Sequence, residues 1–238
     1  MKARAWQRFM EEQRREHGKV LFSVTELANV AGVSRNALNV ELSRLRQQGM
    51  IVKYAHGRYG LPGVVTPEML LPAIDAHAYI TGSYALHVHN LITQTPVRIT
   101  CFTDRYSPRA RERDTPVGRF LFVCVRSGVY APPRASVLAP PTQALCDFVY
   151  LMRRAGVAPE GVATFRNLAT LVTAEFGSVL SRYPGTVQRH VRALAAGEAH
   201  GCPGGESRRL SMRTGRWSAL SFCLVPSGRS SSSSRSLR

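Results

Sequence analysis

Acidic side chains are scarce in this 238-residue chain: 15 Asp and Glu stand against 32 Lys and Arg, a formal net charge of +17. A surplus of that size favours association with polyanions through counterion release, and alone it does not separate DNA, RNA and an acidic protein. Long apolar runs are also lacking. No stretch approaches the ~18 to 20 apolar residues of a membrane-spanning helix, so no membrane partner is expected. Cysteines are few and scattered. Cys101, Cys124, Cys146, Cys202 and Cys223 are odd in number and contain no C-x-x-C pair, which argues against a disulfide framework or a zinc knuckle. Cys101 and Cys124 fall in apolar strand-like runs and Cys146 in an apolar helix, the setting of small buried hydrophobes, and the pattern fits reduced thiols in a cytoplasm. Catalytic signatures are missing too. Without a nucleophile elbow, P-loop or H-E-x-x-H, the sequence predicts no catalytic residue, cofactor or metal site.

What is present concentrates in residues 23–61, SVTELANVAGVSRNALNVELSRLRQQGMIVKYAHGRYGL. Ser23 with Glu26 three residues on is a capping-box signature, and Leu27, Ala28 and Ala31 then fall on one helix face. Gly32 supplies a sharp turn and Ser34 caps the next helix, in which Leu38, Leu42 and Leu45 bury together. Asn36, Val40, Ser43 and Gln47 point away from that apolar stripe, with Arg35, Asn39, Arg44 and Arg46 on its flanks. Asn and Arg are the side chains that form paired hydrogen bonds to adenine and guanine edges. Gly49 ends the helix, and MIVKY and RYGL read as strands joined by the loop Ala55-His56-Gly57. Two helices, a tight turn and a hairpin are the layout of a winged helix-turn-helix. The candidate DNA contacts are Ser34, Arg35, Asn36, Asn39, Ser43, Arg44 and, on the hairpin, Lys53, His56 and Arg58. The residues before them, with Trp6, Phe9 and Met10 at helical spacing and three Glu, read as the first helix of the same domain and not as a targeting peptide.

The expected fold class is α+β. The winged helix-turn-helix occupies residues 1–62, a proline-rich linker with a short Thr66-capped helix occupies 63–77, and a mixed α/β domain occupies 78–197. From about residue 198 a low-complexity basic tail follows, ending in GRSSSSSRSLR and expected to be disordered. In the second domain Ala78–Thr81, VRITCF and RFLFVCV read as strands. YALHVHNL, Thr142–Arg154, Phe165–Phe176 and Thr186–Ala196 read as helices. RYSPRARERD, residues 105–114, is either a basic grip or a solvated loop. His77, His87 and His89 raise a metal hypothesis, but i and i+2 project about 200° apart on a helix. Gly82-Ser83 at a strand-to-helix junction resembles the Gly-Ser of nucleotidyltransferases, yet Asp104 stands alone with Tyr106 where a second carboxylate belongs. Two divalent ions need such a pair, so Gly82 reads as a tight turn.

YITGSYALHVHNLITQTPVRITCFTDR resembles the start of the C-terminal domain of AbiEi-type antitoxins, and APPTQALCDFVYLMRR resembles a later helix of that family, with Asp147 at its acidic position. The order of the two domains is also similar. The resemblance implies a type IV toxin–antitoxin component: a DNA-binding antitoxin and autorepressor that holds double-stranded operator DNA and counters a nucleotidyltransferase-like toxin, functionally rather than by proven contact. The tail then reads either as a basic extension or as an aberrant ending in place of the family's last elements. The competing expectation is a stand-alone winged-helix regulator whose second domain serves dimerisation or ligand sensing.

Overall fold

The computed structural model describes residues 3–105 and 111–197, and the expected basic tail lies outside the described residues. The fold is mixed α+β with two separate sheets. Helix α1 (Ala3–His17) buries Trp6 and Met10 completely, and Phe9 stacks edge-on against Trp6. The two-residue strand β1 (Phe22–Ser23) runs directly into α2 (Val24–Ala31), which Gly32 closes in the left-handed region at φ 62°. Helix α3 (Arg35–Gln47) follows, then β2 (Val52–Ala55) and β3 (Arg58–Gly60). Sheet order is β1-β3-β2, all antiparallel, so β1, which the sequence did not reveal, flanks the hairpin. Ala55 belongs to β2, and the turn shrinks to His56 and Gly57.

The start of α2 is a full capping box. Glu26 N–H donates to Ser23 Oγ at 3.2 Å while Ser23 N–H donates to Glu26 Oε2 at 2.8 Å. Lys19 Nζ lies 2.9 Å from Glu26 Oε1, and this contact, before the Ser23 amide, holds the Glu26 carboxyl down to about 2. Ser23→Ala should cost about 1 kcal/mol. Glu26→Gln keeps the acceptor and loses the charge, so it should cost less than about 1 kcal/mol, since the pair is partly exposed. The depressed carboxyl stabilises the fold above its ordinary range, near pH ~4.3, and that contribution disappears as pH falls towards 2. Urea titrations of wild type and Glu26→Gln should therefore differ at pH 7 and converge at the acid end.

Thr66 caps α4 (Pro67–Ile74) through Met69 N–H, with Pro67 in the first turn, as its sequence predicts. The segment is more than a tether. Leu70 and Leu71 are wholly buried in a cluster that joins Tyr54 of β2 and Val65 to Ile80, Ile99, Cys101 and Phe120. The described residues accordingly belong to one compact unit. Beyond α4 come β4 (Tyr79–Thr81), α5 (Gly82–Val88), β5 (Arg98–Thr103), β6 (Glu112–Thr115) and β7 (Gly118–Cys124). Their sheet has the order β4-β5-β7-β6, with β5 and β7 parallel and the other pairs antiparallel.

Helix α6 (Pro141–Arg154) packs across this sheet with α8 (Gly185–Ala195) beside it. The helix expected over Phe165–Phe176 does not form. Phe165 bridges to Ile92, Asn167 sits at φ 57° with its amide donating to Asn90 O at 3.1 Å, and only a 3-10 turn, Leu168–Leu171, follows. These long-range bonds replace the i→i−4 ladder there, and the next helix, α7, is Phe176–Leu180.

Candidate nucleic-acid interface

Burial of Leu38, Leu42 and Leu45 against Trp6, Met10 and Leu27 fixes the rotation of α3 about its axis. Trp6 Nε1 donates to Glu41 Oε1 at 2.8 Å, so α1 clamps the same helix from its side. The opposite face is therefore held outward. Arg35, Asn36, Asn39, Ser43, Arg44, Arg46 and Gln47 are all exposed. Among the described residues, the side chains of Arg35, Asn36, Asn39, Arg44 and Arg46 have no hydrogen bond or ion pair. Unpaired guanidinium and amide groups on a rigid helix are free to bond to an incoming polyanion at no cost in broken protein contacts.

Ser34 has a local duty. Its Oγ accepts Ala37 N–H at 3.4 Å as the N-cap, leaving the hydroxyl proton at the very start of α3 for an outside acceptor. On the hairpin Lys53 and His56 are exposed and Arg58 is half-buried. Val24 N–H donates to Gly57 O at 3.2 Å, and Ser23 pairs with Arg58 in the sheet, so the hairpin tip is tied to the start of α2. The nine candidate contacts thus lie on one continuous folded segment, with six on or beside α3 and three on the hairpin.

The basic run at 105–114 is described in part. Residues 106–110 lie outside the described residues, whereas 112–115 form the edge strand β6 and not a loop. Its charges are used locally: Arg98 pairs with Glu112 at 3.2 Å, Arg119 with Asp114 at 2.6 Å, and Arg113 lies over the Phe122 ring.

Gly82 adopts φ +64° with its missing Cβ 3.4 Å from Thr100, the tight turn expected of it. The carboxylates around it are committed to the fold. Asp75 accepts His77 N–H at 2.9 Å and the Thr103 hydroxyl at 3.3 Å. Asp147, fully buried on α6, accepts Thr81 Oγ1 at 2.7 Å, Tyr79 OH at 3.2 Å and Tyr183 OH at 2.6 Å. Burial raises its carboxyl to about 7 against the opposing pull of those hydroxyls. His89 contacts the Ala139 carbonyl at 2.7 Å, and among the described residues no three His, Cys, Asp or Glu are placed to hold a metal.

Sequence reasoning left two features without a role: the exposed Val40 within the polar face, and the three-hydroxyl shell around Asp147. Only the first leaves a local trace, a β-branched residue on a solvated helix face. Neither the protein-family models nor the curated proteins compared with the chain match it.

Proposed function

We propose that the chain is a sequence-reading DNA-binding protein, a winged helix-turn-helix in residues 1–62 with α3 as reader and the β2–β3 hairpin as wing. The observation that carries this reading is the outward face of α3, whose arginines and asparagines are exposed and unpaired while its leucines are locked in the core. Phosphate contacts from Lys53, His56 and Arg58 position the protein, and base contacts from α3 specify the sequence. By resemblance, the second half acts as the antitoxin part of an autorepressor in the cytoplasm and is not an enzyme. Among the described residues no helix is long and apolar enough to cross a membrane.

Binding titrations on operator and scrambled duplexes test the reader. Arg35→Ala or Asn39→Ala should relax discrimination by ~1 to 3 kcal/mol where the side chain makes a paired base contact, and Arg58→Ala should weaken both duplexes alike. An unchanged specificity ratio in both helix variants removes α3 as the reader. Antitoxicity is tested separately: the reading requires a nucleotidyltransferase-like neighbouring reading frame, and cells expressing its product should be rescued by the full chain.

One observation favours the competing reading, a solitary ligand-sensing regulator. A cleft of about 490 Å³ beneath β2 is lined by Val52, Tyr54, Val65, Glu68, Tyr84 and Val117. Its volume suits a small molecule. Because Val52 and Tyr54 share β2 with the outward Lys53, an occupant would press on the wing itself.

A further inference from the structure

The outward face of α3 has an apolar centre. Val40 is 55 % exposed, one turn beyond Asn36 and between Asn39 and the Ser43–Arg44 pair. The valine does nothing for the core, and a β-branched residue slightly disfavours a solvated helix. A lone exposed apolar residue needs no explanation, but its neighbours constrain what can cover this one. Any partner that covered Val40 would also have to bring anionic groups to Arg35 and Arg44, which among the described residues have no counter-charge, because burying unpaired charge is costly. A polyanion that also offers an apolar group satisfies both demands. The thymine C5-methyl in the DNA major groove is such a group, whereas the RNA major groove is too deep and narrow for side chains to read.

Resting on the DNA-reading assignment above, we infer that Val40 is a thymine-methyl reader and that α3 specifies an A·T-containing core. Val40 packs on a thymine methyl, while Asn36 presents its amide to an adenine. Four residues of helix rise span about 6 Å, or about two base-pair steps of 3.4 Å, so the thymine and the adenine contacts lie about two steps apart.

The full chain is first used to select duplexes from a random library. Each thymine of the selected site is then replaced by deoxyuridine, which deletes only the methyl. One replacement should weaken wild-type binding about four-fold, the equivalent of ~0.8 kcal/mol for one buried methyl group. Val40→Ala should weaken binding to the thymine duplex by a similar factor and ignore uracil at that one position. Its melting temperature should be no lower than wild type, because the side chain is exposed and alanine is the better helix former. A uracil scan without effect overturns the inference and leaves the DNA-reading assignment standing, as does a uracil penalty that survives in Val40→Ala. A library from which nothing is enriched overturns the assignment itself and the inference with it.

Discussion

Asp147→Ala is expected to destabilise the folded protein by about 3–5 kcal/mol, the cost of removing one member of a buried polar network and leaving its partners unsatisfied. Three hydroxyls point at this carboxylate, from Tyr79 and Thr81 on β4 and from Tyr183 before α8. Tyr79 and Tyr183 are themselves buried, and burial followed by the Asp147 charge raises both phenols, so they remain protonated donors. Asp147→Asn separates charge from shape. Since burial raises the carboxyl to about 7, the folded chain holds this proton up to a higher pH than the unfolded chain does. Stability from this group is complete below about pH 3.9, its ordinary value, and declines as pH rises towards 7. At ~1.36 kcal/mol per unit the swing is on the order of 4 kcal/mol. Urea unfolding from pH 4 to 8 should show wild type losing ground steadily to Asp147→Asn, and the difference between the two cancels every other titrating group. A difference independent of pH would mean that the carboxyl is ionised throughout.

The features legible in the sequence are those set by near neighbours. Ser23 and Glu26, Ser34, Gly32 and Thr66 each act within a few residues of themselves, and each occupies the cap or turn its spacing predicts. The same holds for the polar face of α3, because the positions of Leu38, Leu42 and Leu45 alone decide which residues face out. Features that depend on distant partners were not legible. Strand β1 is two residues long and exists only because β3 pairs with it. Asn167 leaves the helical region through bonds to Asn90, and β6 is a strand because β7 offers it an edge. Asp147 meets hydroxyls 36, 66 and 68 residues away. No periodicity announces such a shell.

The proline spacing around α4 predicts a linker, and the buried leucines turn that segment into a test of how the chain unfolds. Leu70 and Leu71 are each completely buried, in contact with a cluster that contains both the β2 side chain Tyr54 and the second-sheet residues Ile80 and Phe120. Leu71→Ala should therefore cost about 2–5 kcal/mol, the range for a leucine truncated in a packed core. The N-terminal core of Trp6, Leu27, Leu38 and Leu42 does not include Leu71, so a separable first domain would be indifferent to the change. Trp6 reports on that core, and the chain's second tryptophan, Trp217, can be replaced by phenylalanine to leave Trp6 as the sole indole signal. If α4 couples the two sheets, Trp6 fluorescence and far-ultraviolet circular dichroism should follow one transition, and Leu71→Ala should shift both together. A fragment of residues 1–65 would then keep its own core but expose Tyr54 and Val65, and it should melt well below the full chain. If the Trp6 transition stays in place in Leu71→Ala while the dichroism signal moves, α4 is a tether after all and the N-terminal segment stands as an independent domain.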